Sequence, residues 1–166
     1  MNNYDNSSIR RQDRTLEEEK ALNLLLNGEY GFLAMNNNGN GYGIPISYAY
    51  DDNKIYFHCA PEGEKLRIIE KNDSVCFCVV GNTNVQPDKF TTLYESVLAF
   101  GNIVVVSDDD EKMKALMLLV DKYSPEYKDI GLKYAKGSFA RTKVLRIDIE
   151  RISGKSKAQA KLPSSD

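Results

Sequence analysis

The stretch Lys54–Val80, KIYFHCAPEGEKLRIIEKNDSVCFCVV, constrains the fold of this chain most tightly. Lys54, Tyr56 and His58 alternate with Ile55, Phe57 and Cys59, the two-residue period of a half-buried strand. Pro61 and Gly63 break the pattern, and from Glu64 the residues Leu66, Ile68 and Ile69 fall at helical spacing. Asn72-Asp73 ends that short helix, and Ser74–Val80 reads as a strand buried on both faces. His58, the only histidine, stands just before the turn, with Lys65 and Arg67 just after it. Free N–H groups at a helix start, with cations nearby, suit a phosphate. Glu62 and Glu64 share the turn and must point away from an anion.

The flanking segments extend the pattern. Residues 1–14 are polar and aperiodic and read as a flexible or loosely docked arm. Thr15-Leu-Glu-Glu18 has the form of a capping box, opening a helix with Leu22, Leu25 and Leu26 on one face and Asn27-Gly28 as its stop. Tyr30–Met35 reads as a strand, Asn36–Gly41 as a hairpin turn, and Tyr42–Tyr50 as the returning strand. That last strand divides by size: Gly43, Pro45, Ser47 and Ala49 on one face; Tyr42, Ile44, Ile46, Tyr48 and Tyr50 on the other. The bulky face suits a core or a subunit interface. The small face leaves room for a flat ligand or for close approach of another element, and Pro45 marks an edge or bulge.

Beyond Val80 a polar loop leads to a long strand, Leu93–Val106, in which Gly101 sits where a barrel corner would bend. Ser107–Asp110 caps a helix striped by Met113, Leu116, Met117 and Val120, and Ser124-Pro125 opens a second helix to about Ala135. The final strand, Arg141–Ile152, turns Leu145, Ile147 and Ile149 inward. The basic segment Ser153–Lys157 then reads as a closing flap or a solvated tail, and residues 158–166 as disordered. Six strands in hairpin order, with peripheral helices, make a mainly β architecture: a small antiparallel barrel in residues 15–157. No G-x-G-x-x-G follows a strand, so a dinucleotide-binding doubly wound sheet is unsupported.

Composition narrows the functional classes. A net charge of −2 argues against a general grip on nucleic acid or anionic membranes. No apolar run approaches the roughly 20 residues of a membrane span, and no secretory h-region is visible, so the expected location is cytoplasmic. Three cysteines form no disulfide framework. Cys76-x-Cys78 and one histidine fall short of a metal ligand set, and the thiols are expected as small buried hydrophobes, with no metal bound.

Four motifs in order, IPISYAY (44–50), KIYFHCAPEGEKL (54–66), LYESVLAFG (93–101) and ISGK (152–155), carry a resemblance. The chain resembles the pyridoxamine 5′-phosphate oxidase-like flavin-binding split barrels over roughly residues 10–157. Within them it looks most like the 5-nitroimidazole-resistance proteins. The resemblance implies a six-stranded split barrel forming a homodimer, with FMN, or in some relatives FAD, at the subunit interface. It implies that Ile44, Pro45, Ile46, Ser47 and Tyr48 lie along the flavin ring, and that His58, Cys59, Gly63, Lys65 and Leu66 hold the ribityl chain and phosphate. Lys65 is then the phosphate cation; Ser47 and Ser96 are hydrogen-bonding neighbours, and Lys155 is a further contact. His58 matches the position associated with the active site. The expected activity is reduction of a small electrophile such as a nitroimidazole; the alternative is a non-catalytic flavin- or haem-binding module.

Overall fold

The computed structural model describes residues 3–157; the expected disordered tail, 158–166, lies outside them. Seven strands and four helices follow one another as α1 (Glu18–Asn27), β1 (Gly31–Asn37), β2 (Asn40–Ile46), β3 (Ala49–Asp51), β4 (Lys54–Cys59), α2 (Glu64–Ile69), β5 (Ser74–Gln86), β6 (Thr91–Val105), α3 (Asp109–Tyr123), α4 (Lys128–Ser138) and β7 (Lys143–Lys157). The sheet order is β2-β1-β5-β6-β7-β4-β3, with every neighbouring pair antiparallel. Its two edges, β2 and β3, are consecutive in the chain and joined only by Ser47-Tyr48. The barrel is therefore split at one seam, and the backbone itself bridges the split. The expected single strand Tyr42–Tyr50 is these two pieces, which is why seven strands stand where six were expected.

At the seam the backbone loses its ladder partners, and buried peptide groups need replacements. Tyr123 at the end of α3 supplies them. The Tyr48 amide donates to the Tyr123 hydroxyl oxygen at 2.9 Å, and the Tyr123 O–H lies 2.7 Å from the Glu29 carbonyl. Tyr48 is fully buried, sets its ring edge-on to Phe77 at 4.9 Å and donates its hydroxyl to the Leu25 carbonyl.

The barrel interior holds Leu33, Ile55, Phe57, Phe77, Val97, Ile147 and their neighbours. A second, smaller core lies outside the barrel, where α3 and α4 cover β4 and β7: Tyr56, Val106, Ala115, Leu116, Ala135 and Val144. α3 opens on Asp108, whose carboxylate accepts from the Glu111 amide at 2.7 Å, as the acidic run predicts. Glu111 then accepts from Tyr56 and Arg146, both at 2.9 Å, tying the helix to β4 and β7. Gly131 in α4 faces Val120 so closely that a Cβ would lie 2.6 Å from its Cγ1. The two helices pack tightly at that point.

Several local expectations change. Thr15 forms no capping box: its hydroxyl donates to the Gln12 carbonyl, and α1 starts at Glu18 without a side-chain cap. The reason lies in β7, which draws this segment in through the Leu16 amide on the Gly154 carbonyl at 2.9 Å. Upstream, Asn3 and Asp5 exchange backbone hydrogen bonds with Ile152, and the Asn6 carboxamide accepts from the Gly154 amide. Residues 3–14 thus lie docked against the strand. The segment Ser153–Lys157 is neither flap nor tail; it completes β7, paired with Tyr94–Leu98. The polar loop after Val80 is instead a two-stranded arm, with Thr83–Gln86 paired to Thr91–Tyr94, because backbone ladders form without an apolar alternation to announce them. Ser74–Val80 is buried on one face only. Gly101 sits at the register shift in β6, where a Cβ would collide with the Asp148 carbonyl oxygen. Only glycine lets the two strands cross there.

Candidate functional site

Register assigns the expected site residues to places. Directly paired residues share a face of a sheet, so Pro45, Phe32, Cys78, Leu98 and Ser153 form one cross-strand row on the outside of the barrel. The next row is Gly43, Ala34, Cys76, Phe100 and Arg151. Beside the first runs Val80, Ser96 and Lys155. The resulting surface is mostly apolar, and at its Ser153 end it is covered by Asn6 of the N-terminal segment. Phe32 is 46% exposed and Val80 58%. The Arg151 guanidinium lies 3.9 Å over the Phe100 ring. Neither buried core extends onto this face among the described residues.

The small side of β2 thus faces outward, as a flat ligand requires, and its bulky side packs inward. Ile44 and Ile46 pack against the barrel core, while Tyr48 and Leu66 are buried in it. This also corrects the source of the expected dimer surface: the tyrosine-bearing side of β2 is core, and the bare side is the small one. Cys76 and Cys78 share the bare face. Burial pushes the Cys76 thiol up to about 11 and raises Cys78 and Cys59 as well, so all three stay protonated near neutral pH.

His58 and Ser47 come together. Ala49 pairs with Tyr56, so the continuing register sets Ser47 opposite His58 at the seam. Both line a cleft of about 640 Å³ whose walls are α3 and α4, with Leu119, Tyr123, Tyr127, Ile130 and Tyr134 prominent. Burial lowers the imidazole pKa below its ordinary value. The shift favours the neutral imidazole, a hydrogen-bonding group that stays exposed at the seam.

Gly63, at φ 151°, opens α2 without a side-chain cap, and Lys65 is half-buried behind it. Lys65 and Lys143 both act electrostatically on the Cys59 thiol, which places two cations at this corner. Lys143 opens β7 and Lys155 lies near its far end. At ~3.3 Å per residue they stand roughly 40 Å apart along the strand. The expected residues therefore divide in one chain between the seam cleft (Ser47, His58), the corner of Cys59, Gly63 and Lys65, the bare face (Pro45, Ser96, Lys155) and the barrel core, in or against which Ile44, Ile46, Tyr48 and Leu66 pack. Sequence reading missed Lys143, Phe32, Arg151 and the tyrosines of the cleft. Tyr127, Ile130 and Tyr134 recur at i, i+3 and i+7 along the second helical segment, but Tyr123 closes the first, so the residues of the cleft share no single stripe.

A seven-stranded antiparallel barrel split at one seam, with helices covering one outer face, defines the class as a split barrel. A family model described as pyridoxamine 5′-phosphate oxidase matches residues 17–156, and the chain belongs to that family. Among solved structures it is similar to a candidate 5-nitroimidazole antibiotic resistance protein from Bacteroides thetaiotaomicron VPI-5482, at 21% identity and TM-score 0.69 over 84% of each chain. It is similar to a FAD-binding protein from Mesorhizobium loti, at 23% identity and TM-score 0.62, covering 87% of this chain and 98% of that one. A FAD- and haem-binding protein from Mycobacterium smegmatis aligns at 19% identity and TM-score 0.74, over 89% of this chain and 75% of its own. At these identities the likeness shows the shared fold. The comparison with curated proteins finds no match. No helix among the described residues is long and apolar enough to cross a membrane.

Proposed function

We propose that this chain is a cytoplasmic flavin-binding oxidoreductase, holding FMN, with FAD possible, and acting on a small electrophile such as a nitroimidazole. The observation that carries the reading is the bare outer face, small-residued along Gly43, Pro45 and Ser47, ending at His58 across the seam. A planar ring fits a surface where Gly43 carries no side chain and the Phe32 ring fills the space its Cβ would take. Lys65, with Lys143 beside it, is the cation for the phosphate; the backbone of Ile44–Tyr48 and the Cys59–Leu66 turn are the remaining contacts. When bound, a flavin supplies two-electron redox chemistry, and the protein supplies orientation and electrostatics. His58 orients the acceptor by a hydrogen bond and holds a proton near it.

Ser96 and Lys155, paired across β6 and β7, lie at the opposite end of β7 from Lys143 and the Lys65 corner, and a flavin at that corner leaves them unused. A second copy resolves this: covering the bare face with its own, it brings its Ser96 and Lys155 toward the first copy's seam. The proposed functional unit is accordingly a homodimer with two flavins. An absorption spectrum of the purified protein, followed by chromatography of any released chromophore, tests the cofactor. A colourless protein that takes up neither FMN nor FAD would falsify the reading. Anaerobic assay of flavin-loaded protein with a nitroimidazole tests turnover; a fully loaded protein without turnover leaves a binding module. The haem alternative draws on His58 in an apolar cleft, and a Soret band on haem addition, lost in His58→Ala, is its signature.

A further inference from the structure

β5 and β6 do not end with the barrel. Past the register shift between Val80 and Thr83 they run on as a two-stranded arm, Thr83–Gln86 against Thr91–Tyr94. No residue from Gly81 to Tyr94 is buried, and none belongs to either apolar core among the described residues. A two-stranded hairpin with no face to pack on is marginal in water. This one nonetheless ends in a strained aromatic residue. Phe90 sits at φ 48° and ψ 46°, the left-handed region that bulky side chains avoid, and it is 97% exposed. Its amide closes the turn on the Pro87 carbonyl at 3.3 Å. A ring so exposed gains almost nothing from its own chain to offset that strain.

Register shows which way the arm faces. Ser96, Tyr94 and Thr92 fall on one side of β6, so their partners Val80, Thr83 and Val85 share the side of the bare face. Val85 is 66% exposed. The bare face therefore continues from Phe32 and Val80 off the end of the barrel and along the arm. Asp88 and Lys89 are the only charged residues from Gly81 to Leu93, so the arm offers no grip on a polyanion.

We propose that the arm is a clasp for a second copy of this chain, reaching past its own barrel to bury Phe90 and Val85 against the other molecule. The arm prolongs the very surface given above to the second copy, and an exposed aromatic ring is the anchor such a contact uses. A two-fold axis makes each copy give one arm and receive one, so the assembly closes at two. That the partner is a second copy rests on the homodimer proposed above; the exposed tip and the facing of the arm do not.

The chain contains no tryptophan, so Phe90→Trp places a single indole at the tip. Its fluorescence is read beside light scattering on the full-length protein over a dilution series. The emission is expected to be blue-shifted in the dimer and to become that of a solvated indole as dilution yields monomer. Phe90→Gly relieves the left-handed strain while removing the ring. It is expected to keep the circular dichroism spectrum and to weaken pairing at least tenfold. A solvated indole in the dimer, a blue-shifted one in the monomer, or a Phe90→Gly protein that pairs as tightly as the parent overturns the proposal. So does a parent that is monomeric at every concentration. A dimer that takes up flavin yet leaves the indole solvated sinks the clasp alone; an indole buried in a dimer that takes up neither FMN nor FAD sinks the flavin reading alone.

Discussion

The barrel has two outer faces, and they have been finished differently. Over β4 and the start of β7, α3 and α4 lay down a second core, so Tyr56 and Val144 are as buried as residues inside the barrel. Over β2, β1, β5 and β6 no second core forms among the described residues, and Phe32 and Val80 are exposed. The strands are alike in their alternation; what differs is whether the chain supplies its own cover. The covered face contributes to the stability of one chain. The bare face has apolar surface without that return, which suits a surface covered by flavin and a second copy.

Charge introduced on each face separates these roles most sharply. Val144→Asp places an unpaired carboxylate in the α3–α4 core and is expected to cost more than ~4 kcal/mol, leaving little folded protein. Phe32→Asp on the bare face, where the ring is 46% exposed but packs over Gly43, is expected to cost about 1–2 kcal/mol and to leave the chain folded. Light scattering should then find Phe32→Asp monomeric where the parent is dimeric, with flavin retention reduced. A parent protein that is already monomeric, or a Phe32→Asp protein that unfolds, would erase the distinction between the faces.

The difference between the faces was only half legible in the sequence. Alternation in β4 and β7, the helical spacing in α2 and α3, the Gly101 corner and the edge character of Pro45 were all readable, because each is a local pattern with one physical cause. The seam was not. Nothing in Tyr42–Tyr50 announces that the strand changes edges at Ser47-Tyr48, since that depends on Tyr123, 75 residues on, satisfying the backbone there. The arm after Val80 was invisible for a related reason: a ladder between two polar strands needs no apolar period. At the candidate site the outward turn of Gly43, Pro45 and Ser47 was legible. The cleft was not, because it is made where two helices meet the seam.

A moderate effect probes what fastens the cover to the barrel. Glu111 accepts from Tyr56 and Arg146, and these bonds hold its carboxyl below the usual carboxylate range against the opposing effect of its burial. Glu111→Gln keeps the shape and removes the charge, leaving Arg146 with Asp148 at 2.8 Å. The expected loss is ~1–2 kcal/mol, read as a drop of about 2–8 °C in Tm. Because a depressed carboxylate contributes stability above its unfolded pKa and loses it as pH falls through the folded value, the gap between parent and variant should narrow below about pH 4. A gap independent of pH would mean that packing, not charge, fastens α3.

The smallest effect lies at the seam between the two faces. Lys122 sits with its amine 3.8 Å over the Tyr48 ring and without a hydrogen-bond acceptor among the described residues. Burial pushes its pKa down to about 8. Below that value both folded and unfolded chains carry the ammonium, and folding has to dehydrate it. Between about pH 8 and the ordinary lysine value near 10.5, the unfolded chain binds the extra proton, so stability rises with pH through this window. Burial raises the Tyr48 hydroxyl pKa, so its ring stays neutral there. The attraction of an ammonium to that ring, ~0.5–2 kcal/mol, offsets part of the dehydration cost. Lys122→Met is therefore expected to stabilise the protein at pH 7 by no more than ~1 kcal/mol, or about 2–4 °C in Tm. The parent should close that gap as the pH approaches 10. A parent whose stability rises no faster than the variant's across the window would show that the aromatic ring fully compensates the buried charge, making the seam as well satisfied as the covered face.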